Sequence, residues 1–222
     1  FFLKIIKKQP PKIIHYKIKK TAASDTGIEN VTVLNLKKTF VAKYSLGELR
    51  AILKMLLPFS DPVATQTIRN FLKKPDELYM RYYVYNYFTN INKKDPGKAF
   101  KEFSQKIIEV NKLYTSRGVP GYETDRGVIY LKYGAPTDII TVENENGSLP
   151  YEIWQYNVLE QTNHKEVADA YFLFYKQNQA TSDFRILHST VEAEAKNMDW
   201  RSYLYPSGRN GDSRAEQYIG NK

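Results

Sequence analysis

From Ser45 onward the apolar residues of this chain change their spacing once, and that change sets the class of fold. From Ser45 to Tyr133 they recur every three or four positions, and beyond Pro136 they alternate. A block of helices followed by a block of strands predicts an α+β protein. Ser45 with Glu48 forms a capping box, and Leu46, Leu49, Ile52, Leu53, Leu56 and Leu57 make one stripe that Pro58 ends. Three proline-initiated helices follow in series. Asp61-Pro62 opens the first over Ile68, Phe71 and Leu72, and Pro75-Asp76 opens the second over Leu78, Tyr82, Tyr85 and Phe88. Asp95-Pro96 opens the longest, with Phe100, Phe103, Ile107, Val110 and Tyr114 on its face. Asp125 is placed to cap a short helix over 126–133, closed by Gly134 and kept from restarting by Pro136.

Four alternating segments come next: Asp138–Val142, Glu152–Tyr156, Tyr171–Tyr175 and Phe184–His188. Asn146-Gly147 between the first two is a strong hairpin signal. The expected architecture is a set of helices on one face of a small antiparallel sheet, with extra β-strands at the N-terminus. Those strands are predicted in residues 1–20 around Pro10-Pro11, in Val31–Leu36 and around Thr39–Lys43. The chain begins at Phe1, so it reads as a processed or partial chain whose first strands are severed from a β-domain. The predicted organisation is residual strands over 1–43, an α+β domain over 44–205 and an extended tail over 206–222.

Charge narrows the function classes. The formal net charge is +9, yet seven lysines and no acid lie within residues 1–20. Removing those seven from 33 basic residues leaves 26 against 24 acidic, a balance of +2 over the remainder. The near-neutral body argues against nucleic-acid binding, which stays as a third reading. Lys4, Lys7 and Lys8 are either charges that keep a sheet edge soluble or contacts for a partner. With no cysteine there is no disulfide, thiolate metal site or cysteine nucleophile. No apolar run is long enough to span a bilayer as a helix.

Motifs for catalysis are scarce. His15, His164 and His188 fall in separate elements without partners at ligand spacing, so no metal and no cofactor is expected. Tyr79, Tyr82, Tyr83, Tyr85 and Tyr87 crowd one helix. They supply either stacking surfaces or an aromatic core, and Tyr83 and Tyr87 are the candidates for partner contact.

Three stretches belong together. Gly121-Tyr122-Glu123-Thr124-Asp125-Arg126-Gly127 runs into Val128-Ile129-Tyr130-Leu131-Lys132-Tyr133-Gly134-Ala135-Pro136, and Pro150-Tyr151-Glu152-Ile153-Trp154-Gln155-Tyr156 follows. The set closely resembles the GWxTD domain family, found mainly in Bacteroidota and their relatives. The likeness reaches out to Asn111, to Phe172-Leu173-Phe174-Tyr175 and to Leu187-His188-Ser189, roughly residues 40–205 with gaps. Tyr122 stands where the family usually has Trp. Members are typically longer, exported proteins with a β-rich domain ahead of this region. The resemblance therefore implies the cell envelope, in the periplasm or at the outer-membrane surface of a Gram-negative bacterium. The order of helices, Gly134-Ala135-Pro136 turn and strands with Trp154 and Tyr156 is also similar to the small lipoprotein of the outer-membrane β-barrel assembly machine.

Each motif residue has a physical reading of its own. Gly121 permits a close approach, Thr124 or Asp125 satisfies free N–H groups, and Arg126 is placed to pair with Glu152 or Asp125. Gly134 supplies a left-handed residue, and Trp154 and Tyr156 share a sheet face that covers the helix. The first functional expectation is a non-enzymatic interaction subunit of an envelope assembly, in outer-membrane protein assembly or secretion. Its partners would be proteins, among them an outer-membrane β-barrel, with membrane association through them or through a lipid anchor. The alternative is an envelope hydrolase with a site around Asp125, Arg126 and Glu152.

Overall fold

The computed structural model describes residues 35–160, 166–178, 183–192, 194–208 and 213–220. It comprises two compact units, Phe1–Phe103 and Ser104–Lys222. The expected strands and Pro10-Pro11 turn of residues 1–20, with Lys4, Lys7 and Lys8, lie outside the described residues, as does the stretch 31–34.

In the first unit the helices are α1 (Leu46–Leu56), α2 (Pro62–Lys73), α3 (Glu77–Ile91) and the beginning of α4 (Pro96–Tyr114). Their starts follow the caps in the sequence. The Glu48 N–H donates to Ser45 Oγ at 3.4 Å and the Ser45 N–H to Glu48 Oε2 at 2.7 Å, closing the capping box. The Ser45 N–H and the Ser45 hydroxyl, both donating to Glu48 Oε2, hold that carboxyl below its ordinary range. Asp61, Asp76 and Asp95 each accept an N–H three residues on, at 2.7, 3.1 and 2.9 Å. At α3 the cap is Asp76 and the helix begins at Glu77, so Pro75 stands before it.

The predicted strand around Thr39–Lys43 is instead a 3-10 turn over Phe40–Lys43, preceded by another over Leu36–Lys38. The reason is local. Arg81 on α3 donates to the carbonyls of Val41 and, at 3.1 Å, of Ala42, which takes those acceptors from any strand ladder. Phe40 then stacks on Phe100 at 4.9 Å and meets the edge of Phe88 at 6.0 Å. Phe88 also packs on Phe100 and Phe103, making an aromatic core.

The second unit holds the end of α4, a short helix α5 (Asp125–Tyr133) and four strands. These are β1 (Asp138–Val142), β2 (Tyr151–Glu160), β3 (Glu166–Lys176) and β4 (Phe184–Ser189), antiparallel in the order β1-β2-β3-β4. The fold is α+β, as the sequence predicts. Asn146-Gly147 forms a turn in the β1–β2 connection, with the Ser148 N–H donating to the Glu145 carbonyl at 3.0 Å. Gly147 has φ 79°, while Asn146 is not among the residues of positive φ. The turn is thus of type II, not the type I′ that closes a two-residue hairpin.

Helices on a single sheet face were the expectation, with residues beyond 206 extended. The sheet is instead covered on both faces. Trp154, Tyr156, Phe172 and Phe174 share one face, where Tyr114 of α4 and Tyr133 of α5 reach Trp154 and Phe172, each at 5.5 Å. Tyr151, Ile153, Tyr171, Leu173 and Tyr175 occupy the other face. There they pack with Trp200 and Leu204 of helix α6 (Trp200–Leu204) and Ala215 and Ile219 of α7 (Arg214–Ile219). The physical cause is visible in β3, where Ala170–Tyr175 is an unbroken buried run. A strand apolar on both sides needs cover on both sides.

Candidate functional site

The motif sits where α4, a 3-10 turn over Gly121–Glu123 and α5 come together. After α4 the chain reverses through Arg117 and Gly118, with φ of 46° and 80°. The N–H groups of Gly121 and Tyr122 then donate back to Thr115 Oγ1 at 3.2 Å and Asn111 Oδ1 at 3.3 Å. A Cβ on Gly121 would lie 2.2 Å from the Val110 carbonyl oxygen, and one on Gly127 only 1.8 Å from the Gly121 oxygen. Both positions therefore require glycine, because three backbone segments touch there.

Thr124 ties this stack together. Its Oγ1 donates to the Gly121 carbonyl at 2.7 Å and accepts the Gly127 N–H at 3.1 Å, which makes Thr124 the N-cap. Asp125, one of the two capping candidates, is the first residue of α5 instead. Its Oδ2 accepts the Ile186 N–H of β4 at 2.8 Å, and Arg185 lies 3.8 Å from its other oxygen. Tyr122, in the family's tryptophan position, is 8% exposed, and burial raises its hydroxyl pKa.

Of the two acids open to Arg126, the structure pairs it with Glu152, at 3.0 Å. The other Glu152 oxygen accepts the Trp154 indole N–H at 3.1 Å. The guanidinium lies 4.5 Å from the Phe184 ring centre and 5.5 Å from that of Tyr114. Burial pushes the Tyr114 hydroxyl up to about 12.

Gly134 closes α5 with φ 83° and ψ −165°. This is the extended region open essentially to glycine alone, not the left-handed helical well that the sequence reading assigned. Its carbonyl accepts the Tyr156 hydroxyl at 2.9 Å, so the Trp154/Tyr156 strand does cover the helix. Pro136 follows in the connection to β1.

The remaining acids along α5 also have partners. Tyr130 donates to Glu109 at 2.5 Å, and Glu109 is held below the ordinary carboxylate range by that bond and one from Lys106. Lys132 and Tyr133 both reach Glu194, at 2.9 and 2.5 Å. The same is true across the sheet. Glu145 accepts from the Tyr151 and Tyr205 hydroxyls at 2.9 Å each and from the Arg214 N–H at 3.0 Å. Glu194 carries no local sequence signal, since Lys132 and Tyr133 lie about 60 residues away in the chain, and of the Glu145 partners only Tyr151 is near in sequence. The arrangement is a set of internal anchors: it fixes backbone corners and leaves the carboxylates acting as acceptors.

The candidate contact tyrosines differ in burial. Tyr87 is 6% exposed within the first unit, and its hydroxyl pKa is raised by that burial. Tyr83 packs on Phe71 at 5.8 Å with its hydroxyl buried. The Tyr87 ring belongs to the interior of this unit, whereas the Tyr83 ring is half-buried. His188 is 4% exposed, with Nδ1 2.8 Å from the Asn197 carbonyl oxygen and 3.2 Å from its amide nitrogen. His15 and His164 lie outside the described residues. Among the described residues no group of three His, Asp or Glu could hold a metal ion, and no helix is long and apolar enough to cross a membrane.

A family model described as the GWxTD domain matches residues 20–201. No curated protein and no solved structure matches the chain.

Proposed function

We propose, from the premise that the chain belongs to the GWxTD domain family, that it is a non-enzymatic interaction subunit of a bacterial cell-envelope assembly. One observation carries the reading: the Thr124, Asp125, Arg126 and Glu152 side chains of the motif are engaged within the fold. Thr124 holds Gly121 and Gly127, Asp125 holds Ile186, and Arg126 and Glu152 hold each other. A hydrolase built around Asp125, Arg126 and Glu152 needs a carboxylate aimed at substrate. Here one carboxylate faces the β4 backbone and the other is shared between a guanidinium and an indole. Side chains with satisfied partners shape a scaffold, and the outer surface is left to meet other proteins. The envelope setting, and an outer-membrane barrel or secretion complex as partner, rest on the exported character that the resemblance implies.

The test is affinity purification of the full chain from native membranes, with the co-purifying proteins identified by mass spectrometry. Recovery of a defined set of envelope proteins supports the proposal. Turnover of an envelope polymer by the pure chain, lost in a folded Glu152→Gln variant, refutes it. Replacing Lys4, Lys7 and Lys8 by Glu tests the basic stretch as the contact, through loss of co-purification.

A further inference from the structure

The β1–β2 connection carries a feature that neither the motif nor the proposed function uses. Asn146 is exposed at the tip of the type II turn and is followed by Gly147. Among the described residues, neither the Asn146 carboxamide nor the Gly147 N–H is engaged in a hydrogen bond. Glycine has no Cβ to shield its amide nitrogen, so the nucleophile and the electrophile are adjacent and unencumbered. We propose that Asn146 is a site of spontaneous deamidation, and that its conversion loosens the C-terminal segment from the sheet.

The chemistry needs only water. The Gly147 nitrogen attacks the Asn146 Cγ, gives up its proton to solvent base, and forms a new C–N bond. The Cγ–Nδ2 bond breaks and ammonia leaves, which closes a five-membered succinimide. Water then opens the ring at either carbonyl, giving an aspartyl or an isoaspartyl residue at position 146. No oxidant or cofactor enters.

The consequence follows from what surrounds the turn. Next to Asn146, Glu145 gathers the Tyr151 and Tyr205 hydroxyls and the Arg214 N–H. A Cβ on Gly147 would stand 2.3 Å from the Gly208 carbonyl oxygen, so the turn is seated directly on the C-terminal segment. The Leu149 N–H donates to the Leu204 carbonyl at 2.9 Å. An added negative charge beside Glu145 repels it, and the extra backbone methylene of an isoaspartyl link displaces Gly147 from that seat. α6 and α7 are five and six residues long, too short to persist without their docking.

The full chain is aged at mildly alkaline pH and mapped by peptide mass, where conversion adds about one dalton. Isoaspartate is confirmed by enzymatic methylation. Asn146 is expected to convert several-fold faster than the exposed Asn70, Asn144 and Asn157, none of which precedes glycine. Hydrogen exchange over 200–208 and 213–220 is expected to rise in the aged chain and to stay unchanged in an equally aged Asn146→Ser chain. That variant keeps the second Asn-Gly pair, Asn210-Gly211, which lies outside the described residues, so the comparison isolates position 146. The proposal is overturned if Asn146 stays intact while the others convert, or if it converts only in denaturant. Conversion without a rise in exchange overturns the loosening.

Discussion

Gly127→Ala sets two physical effects against each other at one position. Gly127 lies in the first turn of α5, where alanine in place of glycine favours a helix by about 1 kcal/mol. Against that, the new Cβ would fall 1.8 Å from the Gly121 carbonyl oxygen, 2.7 Å from its carbon and 2.9 Å from a Val110 methyl. Unstrained carbon contacts settle near about 3.5–4 Å, so one backbone segment must retreat by more than about 1 Å. That retreat breaks the Thr124 bonds to Gly121 and Gly127, each worth about 0.5–1.5 kcal/mol, and opens the packing on Val110. The net expectation is a loss of about 2–4 kcal/mol. The two tryptophans, Trp154 and Trp200, both lie in the second unit, so their fluorescence in a urea titration reports that unit alone. Gly47→Ala is the matching control, since a Cβ there meets nothing within 4 Å in the first turn of α1. It should raise the stability of the first unit by a few tenths of a kcal/mol or more, read by helical circular dichroism. A Gly127→Ala chain as stable as the parent would refute the idea that glycine is needed there for backbone approach.

Three further outcomes follow from the same contacts. Glu152→Gln should cost about 2–4 kcal/mol in urea unfolding, because it leaves the largely buried Arg126 unpaired, and adding Arg126→Met should restore part of that loss. Burial holds the His188 pKa below its ordinary value of 6.5, so the folded state prefers the neutral ring. Stability from this group is full above that value and declines as pH falls through it toward the lowered folded value, and a His188→Gln chain should show a flatter pH dependence over that range. Removing residues 200–222 should bare the aromatic face of Tyr151, Tyr171 and Tyr175, measured as binding of a hydrophobic dye and loss of solubility.

Helices α1 to α5 and the four strands were legible because each carries a local mark. Ser45, Asp61, Asp76 and Asp95 are caps that act within three residues, and Gly134 and Pro136 mark where the helices give way to strands. The motif was legible as far as its parts are sequential: the glycine approach, the helix stop and Trp154 with Tyr156 over the helix. What escaped is long-range. Nothing near Phe40 announces that Arg81 will take the Val41 and Ala42 carbonyls and turn a strand pattern into a 3-10 turn. The cover over the second sheet face depends on Glu145 and Leu149 meeting Tyr205, Arg214 and Leu204. Its one local hint is the apolar run Ala170–Tyr175, which fits a strand buried on both faces. The tyrosines of α3 could not be sorted by sequence, since five rings on one helix leave core and surface undetermined until the neighbours are placed.

The bond from Ile186 to Asp125 has a bearing on how these molecules behave when crowded. β4 borders the sheet, and a border strand offers bare amides on which a foreign strand can template. By occupying one of those amides, the aspartate of the motif plugs a docking point for unwanted growth at the same time as it pins α5. Losing that carboxylate therefore threatens solubility as well as shape, and a chain carrying Asp125→Ala should clump from concentrated solution well below the temperature at which it unfolds.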